Sequence, residues 1–238
     1  MRTAYTVFRN LYNVRKMTMK LVLASGSQRR RELLTMCGYD YEIIVSNADE
    51  TIDENDPESF VRALSFRKAK EVFDRLFAAG WRDFAVIGSD TVVAFQKDGE
   101  TKPVIIGKPK DAEDAVRILS MLSGKTHRVF TGVSVIADIS DENAAAQCSI
   151  REKAEIQTEC SITEVTFETL SPDEITDYVN SGDPLDKAGS YGIQGPFGMF
   201  VREIRGNYFT VIGMPIPVLY KMLKKIGILP HGFYERIE

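Results

Sequence analysis

Histidine and cysteine are scarce in this chain, and each shortage removes a class of chemistry. Two histidines, His127 and His231, stand in 238 residues, too few for a histidine-rich metal site, and a Ser-His-Asp triad is disfavoured on the same ground. His127 opens a strand-like run and is read as structural. The three cysteines, Cys37, Cys148 and Cys160, are odd in number and form no CxxC pair, which argues against a disulfide framework and a zinc site. No apolar run reaches the ~18 residues that a membrane span requires. A basic excess is also missing. Thirty Lys and Arg against 34 Asp and Glu give a net charge of −4, which disfavours a general nucleic-acid binder but allows a local basic pocket. Gly124-Lys125-Thr126 imitates the end of a P-loop, yet Leu119 stands where the earlier glycine is required, and no GxGxxG fingerprint occurs.

What remains is ordinary globular material, 44% hydrophobic and 27% charged, enough for one large domain or two joined lobes. The first twenty residues carry Arg2, Arg9, Arg15, Lys16 and Lys20 and no acid. Two readings stay open for segment 1–19: a mitochondrial transit peptide, or a disordered or loosely packed extension. Met17 and Met19 also leave room for a later start. Segment 20–238 is expected to form a single domain.

Strand-like and helix-like segments alternate along that domain, the pattern of an α/β fold with a mixed central sheet flanked by helices. Strands are expected at 20–24, 41–45, 84–95, 128–137, 155–167, 199–204 and 208–212, the third broken at Gly88-Ser89-Asp90. Helices are expected at 29–37, 57–79, 111–122, 172–180 and 215–226. Asp111 and Ser171 are placed as N-caps, and Pro57 and Pro172 open their helices. The polar stretch 138–147 reads as a loop.

Four segments can carry chemistry. In Leu21-Val-Leu-Ala-Ser25-Gly26-Ser27-Gln28-Arg29-Arg30-Arg31, a strand runs through a small-residue loop into a helix with a basic first turn. Helix-start N–H groups attract anions, Ser25 and Ser27 add hydroxyls, and guanidinium groups match phosphate oxygens. Cations in a first turn oppose the helix dipole, so an anionic partner explains them better than stability does. Neighbours on a helix lie ~100° apart, so Arg29 and Arg30 are chosen to face the ligand. In Val86-Ile-Gly-Ser-Asp90-Thr91, a carboxylate interrupts an apolar strand. Its burial requires a partner, so Asp90 would bind Mg²⁺, take a proton from water, or both, a cap or turn being the plain alternative. Lys108, in Gly107-Lys108-Pro109, and Lys68, on the long helix, would alone be read as solvated. In Asp186-Lys187-Ala-Gly189-Ser-Tyr191-Gly192-Ile-Gln194-Gly195, dense glycine implies unusual backbone angles or close approach to a ligand. Gln194 both donates and accepts, which suits a base edge; a tight structural turn is the other reading.

In order and spacing these segments resemble the Maf family of nucleoside triphosphate pyrophosphatases, of the inosine-triphosphatase-like fold group, from about 20 to 226. Leu122-Ser-Gly124 joins them. The resemblance implies a nucleotide cleft between two lobes, Asp90 as proton acceptor, and Glu50 as a second acid. It places Lys68, Lys108 and Gln194 around the nucleotide, with Lys187 among the substrate-binding residues. Arg29, Thr91 and Gln194 match the branch acting on dTTP and UTP; a sister branch associated with methylated GTP tends to carry Trp, Gln and Glu there. Gln28 replaces a frequent proline, which would loosen the loop. The expected activity is that of a nucleoside triphosphate diphosphatase cleansing the nucleotide pool. Mg²⁺ or Mn²⁺ would be held by Glu50 and Asp90, and the triphosphate balanced by Arg29, Arg30, Lys68 and Lys108. A homodimer is expected from the resemblance, and no nucleic-acid or membrane partner. Cytoplasm is the expected location, or mitochondria if 1–19 is a transit peptide. The alternative is a nucleotide-binding regulator of cell division without turnover. Two acids in the pocket favour the enzyme, since phosphate binding needs no carboxylate.

Overall fold

A computed structural model describes residues 19–96, 99–100, 102–139 and 154–231. The expected extension up to residue 18, Cys148, and the 138–147 loop beyond Ile139 lie outside the described residues. In chain order the elements are β1 (Lys20–Leu23), α1 (Gln28–Met36), β2 (Glu42–Ile43), α2 (Pro57–Ala78), β3 (Phe84–Phe95), β4 (Val104–Ile106), α3 (Ala112–Leu122), β5 (Thr126–Asp138), β6 (Ala154–Phe167), α4 (Pro172–Asn180), β7 (Val201–Arg205), α5 (Tyr208–Ile212) and α6 (Ile216–Lys225). Short 3₁₀ turns at Asp183–Asp186, Ala188–Ser190 and Pro196–Phe200 fill the glycine-rich stretch.

The strands form one seven-stranded mixed sheet, ordered β2-β1-β3-β5-β6-β7, with β4 added to β3. Strands β1 and β4 share one edge of β3. The first pairs in parallel with Phe84 to Ile87, the second antiparallel with Val93 to Phe95. Along the opposite edge, β5 pairs without interruption from Ala85 to Ala94. Residues 88–92 are therefore laddered on one side only, and the gap between β1 and β4 is where the functional cleft opens.

That continuous ladder corrects the break expected at Gly88-Ser89-Asp90. The glycine is there for the helix, not for a turn. A Cβ on Gly88 would lie 2.2 Å from the Ser65 carbonyl oxygen and 2.7 Å from the Ala69 nitrogen. A Cβ on Gly132 of β5 would lie 2.2 Å from the Val61 carbonyl oxygen. Helix α2 thus rests backbone to backbone on the sheet, closer than any side chain would allow. Asp56 caps it through a 2.9 Å bond from Ser59 N, with Pro57 in the first turn. Val61, Leu64, Ala69, Val72, Phe73 and Leu76 are buried on its inner face.

The long strands β3 and β5 pass through both halves of the molecule. One half packs β1, α1 and α6 around Leu23, Leu34, Ile87 and Leu219. The other packs α3 and α4 around Leu119, Leu122, Phe167 and Phe197. Helix α4 starts with a reciprocal capping box between Ser171 and Glu174.

Two further expectations are corrected. Segment 208–212 is a single turn of helix, not a strand. Asn207 accepts from Phe209 N at 2.8 Å, and Gly213 closes the turn at φ 110°. Its β-favouring composition, Tyr-Phe-Thr-Val-Ile, is overridden by those two caps. Strand β4 falls at none of the expected strand positions. It is only three residues long and owes its state to β3 across the chain.

Candidate active site

The cleft at the open edge of β3 has a volume of about 1150 Å³. Every site residue expected from the sequence borders it, from Ser25 at one end to Gln194 at the other.

The phosphate-loop end is built locally. Strand β1 delivers the chain to Ser25, whose Oγ accepts from Ser27 N at 3.2 Å. Ser27 is the N-cap of α1 but makes no side-chain cap bond, so its hydroxyl leaves the first-turn N–H groups uncapped, as an anion-binding helix start requires. The three arginines diverge as the helical spacing requires. Arg31 turns back to the Gly26 carbonyl at 2.8 Å. Arg29 stays at the cleft with one nitrogen 3.7 Å from Asp186 Oδ2. Arg30 is half-buried: Nε donates to the Gly213 carbonyl at 2.8 Å, Nη1 to Ser25 Oγ at 3.1 Å and Nη2 to Thr91 Oγ1 at 3.3 Å. Burial pulls its pKa below the usual guanidinium value, and the nearby Asp90 charge pulls the other way. Gln28 occupies the first helical position and donates to Glu32 Oε1 at 3.0 Å.

The acidic centre depends on the close seating of α2. Gly88, Asp90 and Val92 point to the α2 face of β3, because alternate residues share a face. With the helix pressed against Gly88 and Gly132, Lys68 reaches Asp90 Oδ1 at 2.8 Å. The same ammonium is 3.0 Å from Glu50 Oε1. The side chains of Lys68 and Asp90 are each 12% exposed and that of Glu50 is 65% exposed. The inner contact therefore dominates: breaking a buried pair costs on the order of 3–5 kcal/mol, an exposed pair about 0–1. Two carboxylates converging on one cation also form a donor set that suits Mg²⁺ or Mn²⁺, which take one or two carboxylates and complete their shell with phosphate oxygens and water. Among the described residues, no group of three or more His, Cys, Asp and Glu could hold a metal by itself.

The far rim comes from the glycine-rich segment. Lys108 and Gln194 are exposed at the cleft. Lys187 borders it too, but its ammonium is held by the Asp183 carbonyl at 2.6 Å, Asp183 Oδ1 at 2.9 Å and Asp186 Oδ1 at 2.7 Å. Tyr178 donates to Asp183 Oδ2 at 2.5 Å and accepts from Gly192 N at 3.1 Å. This network gives Lys187 a fold-holding task at the place where the sequence pointed to substrate.

His127 is structural, as read from the sequence. It is buried among Phe167 and Tyr191, 3.0 Å from the Tyr191 hydroxyl. Burial pulls its pKa down to about 3. The unfolded chain then binds a proton that the folded chain refuses, so this contribution is complete above about pH 6.5 and is lost as pH falls toward 3. Between about pH 5.5 and 4, stability should fall by about 1.4 kcal/mol per unit from this residue. His127→Phe should flatten that slope in urea titrations.

Residues 20–226 match the family model for Maf-like proteins. The chain belongs to the Maf family. Among curated relatives of this Maf protein, the dTTP/UTP pyrophosphatase of Agathobacter rectalis is 41% identical over 217 residues, covering 88% of this chain and 98% of that protein. The dTTP/UTP pyrophosphatase of Bacillus thuringiensis subsp. konkukian is 42% identical over 210 residues, covering 88% and 96%. Among solved structures, the Ham1 protein of Staphylococcus aureus is similar at a TM-score of 0.44 and 15% identity, over 87% of this chain and 99% of that one.

Two contributors to the Maf cleft escaped the sequence reading. Asp183 holds Lys187 and Tyr178 together, and Gly213 supplies the carbonyl that anchors Arg30. Backbone carbonyls carry no sequence signal. The α5 caps, Asn207 and Gly213, would have exposed the turn.

Proposed function

We propose that this chain hydrolyses dTTP and UTP to the monophosphate and pyrophosphate, in the cytoplasm and on the free nucleotide pool. The observation that carries this reading is Asp90. It is a buried carboxylate at the open edge of β3, paired with Lys68 and facing the cleft that Arg30 and the Ser25–Ser27 loop enter. A receptor for phosphate alone gains nothing from acids beside its basic loop. The curated relatives named dTTP/UTP pyrophosphatase support the substrate class.

In this mechanism Arg29, Arg30 and Lys108 neutralise the triphosphate, while Ser25 and the α1 amides orient it. Asp90 accepts the proton of a water that splits the anhydride between the α- and β-phosphates. Lys68, 2.8 Å from Asp90 Oδ1, holds that carboxylate aimed until the water arrives. Glu50 and Asp90 would hold Mg²⁺ or Mn²⁺, which would polarise a phosphate oxygen and make a nearby water easier to deprotonate. Gln194, exposed at the rim, offers both a donor and an acceptor to a uracil or thymine edge.

The test is pyrophosphate release by the purified chain across canonical and modified triphosphates, with either metal and with neither. Metal-dependent release from dTTP and UTP ahead of the purines is the expected result. Nucleotide binding with no pyrophosphate under any metal would sink it. Gln194→Glu replaces a donor with an acceptor. The rate with UTP relative to GTP should fall about tenfold, with an unchanged thermal midpoint because the residue is exposed. An unaltered ratio would remove Gln194 from base selection.

A further inference from the structure

Thr91 lies on the face of β3 opposite Asp90 and borders the cleft. Its neighbour across the ladder is Thr131 of β5, buried completely, with the two hydroxyl oxygens 3.0 Å apart. Either oxygen could donate if the pair stood alone. The ends of the chain remove that freedom. Thr131 Oγ1 donates to the Thr210 carbonyl at 2.7 Å, and a carbonyl can only accept. The single Thr131 proton is thereby used, so the Thr131 oxygen must accept from Thr91. At the other end, Arg30 Nη2 meets Thr91 Oγ1 at 3.3 Å, and a guanidinium can only donate. The chain therefore runs one way, from Arg30 through Thr91 and Thr131 to the α5 carbonyl.

We propose that Thr131 is a positioning residue that fixes the Thr91 hydroxyl as an acceptor toward the cleft, so that the site selects nucleosides offering a hydrogen-bond donor there. With its proton committed to Thr131 and one lone pair to Arg30, Thr91 has one lone pair left. Phosphate oxygens, which only accept, gain nothing from it. In UTP and dTTP the available donors are the ring imide N–H and the sugar hydroxyls. Cytosine, whose ring nitrogen at that position accepts, meets lone pair against lone pair. This inference rests on the proposed activity and adds the residue, Thr131, that orients the Thr91 hydroxyl.

The test compares Thr131→Val, which keeps the shape and loses the hydroxyl, with Thr131→Ser, which keeps the hydroxyl. Two ratios of kcat/KM are read in each protein: UTP over CTP, and dTTP over its 3′-deoxy analogue. In Thr131→Val the Thr91 hydroxyl is free to rotate and donate, so one of these ratios should fall about tenfold, and Thr131→Ser should restore it. A fall in the first places the imide N–H at Thr91; a fall in the second places a sugar hydroxyl there. Either ratio is internal to one protein, so a general loss of activity does not move it. Should Thr131→Val not fold, Thr91→Val removes the acceptor directly and must lower the same ratio. Ratios unchanged in both variants overturn the proposal. Dissociation constants for the non-hydrolysable α,β-methylene analogues of UTP and CTP give the same comparison without turnover. A chain that binds them with the expected preference yet releases no pyrophosphate defeats the proposed activity and leaves this inference standing.

Discussion

Asp90→Asn should lower kcat for dTTP and UTP by about 10²–10⁴-fold, the range that a positioned general base contributes. The substitution is nearly isosteric and the backbone stays laddered to Gly132 of β5, so the fold should persist. Lys68 loses its inner charge partner but retains Glu50 at 3.0 Å and an amide oxygen in place of Oδ1. A modest fall in thermal midpoint is therefore expected beside a large fall in rate. Pyrophosphate release and a melting curve on the same preparation separate the two. A rate within a few-fold of the parent would remove Asp90 from proton transfer; a large rate loss with collapse of the fold would leave it a structural residue only.

Gly132→Ala and Gly88→Ala should be among the most damaging small substitutions in the chain. Each new methyl would stand 2.2 Å from a carbonyl oxygen of α2, and a backbone atom cannot swing aside as a side-chain end can. Overpacking of this kind costs about 1–3 kcal/mol and occasionally more. The damage should extend to chemistry, because the only relief is to lift α2 off the sheet and carry Lys68 away from Asp90. A misplacement of about 1 Å can cost about 10²-fold in rate. Urea unfolding and kcat should therefore fall together in both variants. Retention of kcat in a well-folded Gly132→Ala protein would show that Lys68 does not depend on the seating of this helix.

The contrast between the two ends of the site explains what could be read from sequence. Ser25 to Arg30 form a contiguous strand, loop and helix start, so their chemistry follows from local spacing alone. Even the divergence of Arg31 from Arg30 follows from helix geometry. Lys68 carries no such mark: on α2 it would be read as a solvated residue, and its meaning came from the family resemblance and from Asp90, 22 positions away. Gly88 was noticed but misassigned to a strand break. The same residue serves a turn or a close helix, and only the partner's position decides. Segment 208–212 failed for the opposite reason: its propensities were plain, and two flanking caps outweighed them. Lys187 was placed among the substrate-binding residues by the family resemblance, while Asp183 and Asp186, which hold its ammonium, carried no assigned role.

The Arg30 guanidinium is half-buried at the cleft, and its hydrogen-bond partners are a carbonyl and two hydroxyls, none of them charged. Part of its water is removed once, during folding, and its orientation is fixed by hydrogen-bond partners that cannot neutralise it. An arriving phosphate therefore meets a cation already partly desolvated and already aimed. The chain carries an electrostatic vacancy that folding creates and the substrate fills, which ties part of its stability to the molecule it consumes.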